Sequence, residues 1–324
     1  NHSWSWPTTS VGMSTPAPLV VPTELDATQQ KKLIRHLYMY QLSDLKKESM
    51  IFMAGEKDKY GADIKPWTDE EAAHMGVGLK MQKPTETEYV VFPGGKQADD
   101  AMVGDLAATA LGEAIIDGSC PKLQVVIMQG TTLTDVGFAA MVKGLGKCPL
   151  FRDLQAQSNR ISDTGFQSLV DVFLSGGFER VERLNMSGEI MRKHEITDAT
   201  FLPFAKAIAE GDIKLLDLKE LSFQDTQIGD EGVGMLALAL GRGNLPKLES
   251  LYLMGCAKLT DACCQAIADA INNRKRMPML RDIRLGYTEV TKEGKELIKA
   301  AARAKGKKIS VILQLLGGEL PDKD

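Results

Sequence analysis

Residues 123–145 read LQVVIMQGTTLTDVGFAAMVKGL, and residues 151–173 read FRDLQAQSNRISDTGFQSLVDVF. Laid over each other, Leu123, Val126, Met128, Thr131, Leu133, Asp135, Gly137, Met141 and Leu145 become Phe151, Leu154, Ala156, Asn159, Ile161, Asp163, Gly165, Leu169 and Phe173, displaced by 28 at every position. Self-similarity at such a period is the signature of a stacked repeat array, and it has to be settled before any motif is interpreted. Further copies begin at Val181, Leu218, Leu248 and Leu280, so the first positions are spaced by 28, 30, 37, 30 and 32. A degenerate leading copy runs through Val90, Phe92, Ala98, Asp100 and Leu106, and Ile309 to Leu313 reads as a closing strand.

The L-x-x-L-x-L run followed by an amphipathic stretch resembles the leucine-rich repeat, in its long ribonuclease-inhibitor-like form with a helix in every copy. The resemblance covers residues 89–317 and implies an α/β solenoid, with parallel strands on a concave face and helices on the convex one. Each L-x-x-L-x-L stretch would turn its apolar side chains inward and stack on the next copy. Helical positions such as Met141 and Leu145, or Leu236 and Leu240, would pack on that sheet, since no single repeat can bury its face alone. Position nine of the family pattern holds a ladder of side chains satisfying buried loop backbone; here it is Thr131, Asn159, Thr226, Cys256 and Thr288. Threonine and cysteine are weaker substitutes for asparagine, so a looser ladder is expected.

Asp135, Asp163, Asp198, Asp230 and Asp261 each follow Thr, Ser or Gly just before a helix. One carboxylate per copy reads as helix N-cap chemistry rather than as metal ligands or acid/base pairs. Cys120 and Cys148 fall 28 apart in equivalent G-x-C-P turns, and all five cysteines lack a C-x-x-C partner. Neither a zinc site nor a disulfide framework is signalled, which fits an intracellular reducing compartment.

Outside the repeats, residues 1–23 form a Pro/Ser/Thr-rich tail carrying Trp4 and Trp6, and residues 24–88 read as a helical N-terminal cap. Within that cap a helix is expected from Asp26 to about Ala54, followed by loop and a short helix around Thr68 to His74. Residues 318–324 form a polar C-terminal tail. The chain begins at Asn1 rather than Met, which suggests leader removal, trimming or a cloning scar, and places it in the cytoplasm or in a plastid or mitochondrion after processing.

The 324 residues carry 39 basic and 43 acidic side chains, a formal charge of -4. No apolar stretch reaches the roughly 18 residues that a bilayer span needs. Four dispersed histidines offer no nucleophile–base pair, and the glycine strings at Gly94-Gly95-Lys96 and Gly241-Arg242-Gly243 lack phosphate-loop spacing. No catalytic residue, cofactor or metal is expected. The function expected is non-catalytic protein–protein interaction, as a scaffold or peripheral subunit of a larger intracellular or organellar complex. The resemblance also admits a GTPase-activating regulator, for which Arg160 is the candidate arginine. A ubiquitin-ligase substrate receptor is a third reading, from Cys256 with Leu259-Thr260-Asp261.

Candidate contact residues fall in four groups. On the concave face, Val125, Ile127, Tyr252 and Met254 are expected as exposed apolar anchors among Arg152, Gln155, Arg183 and Arg284. Charges of alternating sign along the strands should pair across neighbours and neutralise much of that face. Met191, Arg192, Lys193 and His194 should project from the insertion that lengthens the third copy, and Trp4 and Trp6 should anchor the tail in a neighbouring subunit. Between Asn272 and Lys308, twelve basic residues oppose four acidic ones. Arg274, Lys275, Arg276, Lys305, Lys307 and Lys308 therefore form a basic end suited to an acidic protein surface or anionic lipid headgroups. A nucleic-acid partner would need interleaved stacking aromatics, which are missing there.

Overall fold

The computed structural model describes residues 50–51, 68–83, 85, 87–92, 103–189, 194–273 and 279–313. Strands and helices alternate along them: β1 (Met50–Ile51), α1 (Asp69–Gln82), β2 (Tyr89–Val91), α2 (Asp105–Ile116), β3 (Val125–Ile127), α3 (Asp135–Leu145), β4 (Asp153–Gln155) and α4 (Asp163–Leu174). The series continues with β5 (Arg183–Asn185), α5 (Asp198–Glu210), β6 (Glu220–Ser222), α6 (Asp230–Arg242), β7 (Ser250–Tyr252), α7 (Asp261–Asn273), β8 (Asp282–Arg284), α8 (Lys292–Ala304) and β9 (Ser310–Ile312). Among the described residues the strands form one open sheet of nine in chain order, every neighbouring pair parallel. An open parallel sheet with a helix after each strand is the α/β solenoid that the repeat implies.

Register explains the pattern. Val126, Leu154, Leu184, Leu221, Leu251, Ile283 and Val311 are aligned strand to strand, and all are buried. They meet the helix positions Met141, Leu169, Phe204, Leu236 and Ile298 in one continuous core. The sheet extends upstream of residue 89: β1 pairs with β2, Met50 lying opposite Val90. Met50 and Ile51 are therefore strand, not the end of a helix reaching Ala54. The short helix expected near Thr68 runs on to Gln82, and its Gly76 packs on Ala110 of α2 as a repeat helix would. The remainder of the expected 26–54 helix lies outside the described residues.

The aspartates do something other than cap their own helices. The residue before four of them does the capping: Thr134, Ser162, Thr197 and Thr260 accept from the N–H two residues on, whereas Gly229 before Asp230 has no side chain to cap with; ahead of α8, Thr291 accepts from Glu293 and Gly294. Each aspartate instead reaches the cap of the following repeat. Asp135 accepts from Ser162 N at 2.7 Å and Ser162 Oγ at 2.5 Å; Asp230 accepts from Thr260 N and Oγ1 at 2.9 and 2.6 Å; Asp261 accepts from Thr291 N and Oγ1 at 2.8 and 2.7 Å. In the leading copy Asp105 makes the same brace, bonded to Thr134 N and Oγ1 at 2.7 and 2.5 Å, while Asp100 lies outside the described residues. Even Asp69 of α1 accepts from Gly104, Leu106 and Ala107. Charge-assisted bonds to orphan amides at a helix start are the favourable kind, so the carboxylates lace repeat to repeat.

The same brace dictates the glycine two residues into several helices. A Cβ on Gly165 would stand 2.4 Å from Asp135 Oδ1, and one on Gly232 would stand 2.4 Å from Asp198 Oδ1. Thr200 takes the equivalent place in α5 and turns the close approach into a hydrogen bond to Asp163.

Candidate functional site

Two lanes of side chains flank the buried central lane on the concave sheet. Register aligns Val125, Asp153, Arg183, Glu220, Ser250 and Asp282 in one, and Ile127, Gln155, Asn185, Ser222, Tyr252 and Arg284 in the other. Their charges pair across adjacent strands. Arg183 Nε lies 2.8 Å from Asp153 Oδ2, and Gln155 Nε2 donates to Asp153 Oδ1 at 2.7 Å. At the lip where the strands begin, Lys219 pairs with Glu182 at 2.6 Å and Arg281 pairs with Glu249. The guanidinium of Arg284 lies over the Tyr252 ring, 4.3 Å from its centroid, and its Nε is 3.4 Å from Asp282. Much of the face is thus held by its own ion pairs, a cation over an aromatic ring among them.

The expected anchors divide. Val125 is buried at 4% exposure, its register partner Tyr89 standing beside it, so it is not an exposed group. Ile127, Tyr252 and Met254 are half-buried and reach the surface; Arg152 is half-buried and makes no ion pair among the described residues. Glu220, which no contact motif marked, lies at the centre of its lane.

His194 overturns its expected place at the solenoid edge, because its exposure is 0%. Nε2 accepts from Asn159 N at 3.1 Å, and Nδ1 lies 2.9 Å from the Met186 carbonyl, so the neutral ring carries its proton on Nδ1. Burial pulls its pKa down to about 4 against the smaller upward effects of that carbonyl and of Asp135. His194 is the third copy's rung in the position-nine ladder. Beside it Asn159 donates to the Met128 and Ala156 carbonyls, Thr226 and Cys256 both reach the Phe223 carbonyl, and Thr288 reaches that of Leu285. Counting back two residues from Ile196, as Thr131 precedes Leu133, would have found it. The other three insertion residues, Met191, Arg192 and Lys193, lie outside the described residues, as do Trp4, Trp6, Arg274, Lys275 and Arg276.

At the C-terminal end Lys307 and Lys308 are exposed and Lys305 is half-buried. Arg160 is exposed one residue past the buried Asn159. Among the described residues no group of three or more His, Cys, Asp or Glu could hold a metal ion, and no helix is long and apolar enough to cross a membrane.

A family model described as Leucine Rich repeat matches residues 215–237, which span the Leu218 copy through most of its helix. The ribonuclease inhibitor of Sus scrofa is 26% identical over 175 residues, 54% of this chain and 36% of the inhibitor. The chain therefore spans little more than a third of that relative's length. Among solved structures, the Rad7 and Elc1 complex of yeast is 10% identical with a TM-score of 0.37, covering 92% of this chain and 86% of the other. A Bacteroides fragilis protein is 13% identical with a TM-score of 0.39, covering 89% and 83%. Repeat pattern and strand register give the chain the fold of a leucine-rich repeat solenoid, and its sequence is similar to the ribonuclease inhibitor over 175 residues.

Proposed function

We propose that the chain is a non-catalytic docking subunit, a scaffold or peripheral component of a larger intracellular or organellar complex, and that its partner seats on the concave sheet. The carrying observation is the half-buried aromatic and apolar trio of Ile127, Tyr252 and Met254 set in a face of polar side chains and ion pairs. Large apolar anchors framed by polar groups are where interface energy concentrates. The state of the nucleophiles also supports a non-catalytic reading. Burial pushes the thiols of Cys120 and Cys256 up to about 11 and that of Cys148 to about 12, and both nitrogens of His194 are committed to backbone. Five free, buried cysteines support a reducing compartment. The exposed Lys307 and Lys308 support a second contact with an acidic protein surface or anionic lipid headgroups.

The test is affinity purification of the chain with its partner from the native source, followed by titration of variants. Tyr252→Ala removes the ring and the seat of Arg284, and a loss of affinity of about 30-fold is expected for an anchor of roughly 2 kcal/mol. Unchanged affinity for Tyr252→Ala and Ile127→Ser together would remove the concave face from the interface.

A further inference from the structure

The last helix among the described residues changes sign at the positions through which the other helices hold the repeat that follows them. Every helix from α1 to α7 opens on an aspartate whose carboxylate reaches that next repeat, whereas α8 opens on Lys292. Seven residues into a helix lies the position that faces the next one, as Gly76 faces Ala110 and Gly112 faces Ala140. It is held by a buried glycine, valine or alanine in every helix from Gly76 of α1 to Ala268 of α7, and by Lys299 in α8. Three residues in, Phe138, Phe166, Phe201 and Val233 are buried, and α8 places Lys295 there. Arg303 stands one turn beyond Lys299, and the exposed Lys307 and Lys308 carry the charge on toward β9. The flank of α8 that a further repeat would cover is therefore cationic over about 16 Å, from Lys292 to Arg303. Glu296 of the same helix serves both Lys299, at 3.9 Å, and Arg303, at 3.1 Å.

A solenoid end needs a polar outer face, and uncharged polar side chains would supply one. Cations are the costly choice at two of these four positions. Lys292 and Lys295 sit in the first turn, where the helix dipole favours the carboxylates that open the other seven helices. A local rule broken with no gain to the fold points to use of the surface. Its composition decides the kind of use. Protein interfaces are depleted in lysine and enriched in aromatic rings, and this flank carries three lysines, one arginine and no ring. Anionic headgroups, in contrast, attract clusters of about four to eight Lys and Arg through charge alone. We infer that this flank of α8 rests on a membrane surface containing anionic lipid, with Lys292, Lys299 and Arg303 against the headgroups and Lys307 and Lys308 beside them. The inference rests on the second contact proposed above and assigns that contact to lipid; it is independent of the concave face.

The test is sedimentation of the full chain with vesicles of phosphatidylcholine alone and of phosphatidylcholine with about one third phosphatidylserine, at low and at high salt. Binding should be at least about tenfold stronger to the anionic vesicles and should fall steeply as salt rises. Lys292→Asp combined with Lys299→Ala installs the residues that interior helices carry at those positions. It should leave the melting temperature unchanged or raised, and cut binding to the anionic vesicles at least about tenfold. Lys143→Glu combined with Lys206→Ala makes the same change of charge at exposed positions of α3 and α5, and should bind as the unaltered chain does. Equal binding to the two kinds of vesicle, or an equal loss in the two variants, would overturn the inference. Binding to poly-L-glutamate with none to the anionic vesicles would overturn it too, and would assign the second contact to an acidic protein; binding to neither would remove that contact altogether. None of these results bears on the effect of Tyr252→Ala on the native partner, so failure here and failure of the concave docking reading are distinct.

Discussion

Among the described rungs His194 stands where other repeats place threonine, asparagine or cysteine, and it is the one that titrates on the acid side of neutrality. Its neutral ring accepts from Asn159 N, and protonating Nε2 would set two donors against each other in a site with no exposure. The sign follows from the direction of the shift. The unfolded ring titrates near the ordinary histidine value of 6.5 and the folded one at about 4, so the unfolded state binds the proton first. This contribution is fully present above pH 6.5, falls away as pH drops toward 4, and amounts to about 2 kcal/mol between pH 7 and 5. Urea denaturation at the two pH values should show that loss in the unaltered chain and not in His194→Asn, which keeps a rung that cannot titrate; equal losses would mean that the ring is not held neutral. The sequence disclosed the braces only halfway. An aspartate before each helix is visible in the string, but its true acceptor partnership with Ser162 or Thr197 lies about one repeat away and exists only once the copies stack. His194 was obscured because the 37-residue spacing shifted the phase of its copy.

Helix spacing differs along the stack, and small side chains decide where. Between α2 and α3 the backbones nearly touch: a Cβ on Gly112 would stand 2.3 Å from the Ala140 carbonyl oxygen, and one on Gly144 2.4 Å from that of Gly112. Around α4 and α5 the space is filled by rings instead, Phe166 meeting Phe204 at 5.3 Å and Phe223 at 5.2 Å, and Phe201 meeting Phe223 at 4.9 Å. Two substitutions of one kind should therefore act in opposite directions. Gly112→Ala forces two backbones apart and should cost about 2 kcal/mol or more, as overpacking does. Gly234→Ala, on α6 with nothing within 4 Å of the added Cβ, should stabilise by about 0.5–1 kcal/mol by restricting the unfolded chain. Chemical denaturation of both variants checks this, and stabilisation by Gly112→Ala would refute the close approach. The existence of these helices was legible from apolar spacing, as were the strands from Leu123 onward. Their separation was not, because the repeat pattern records a position as small or apolar without recording how near the neighbour comes.

At the scale of the whole molecule, a parallel register turns a column of sequence positions into a lane, and that step needs nothing beyond the repeat spacing. The pairing of Lys219 with Glu182 and of Arg183 with Asp153 was readable for that reason. Exposure was not readable in the same way: Val125 occupies a lane position like those of Arg183 and Ser250, yet burial in the folded sheet closes it off. The helix layer offers an internal control, since on α6 Leu238 is exposed and Met235 is half-buried, packed against the core. Oxidative footprinting of the chain alone and in complex with its purified native partner reports on both faces in one measurement. Protection of Met254 and Tyr252 with unchanged oxidation of Met235 is the result expected of concave docking; protection of Met235 and Leu238 with Met254 and Tyr252 still oxidised would contradict it.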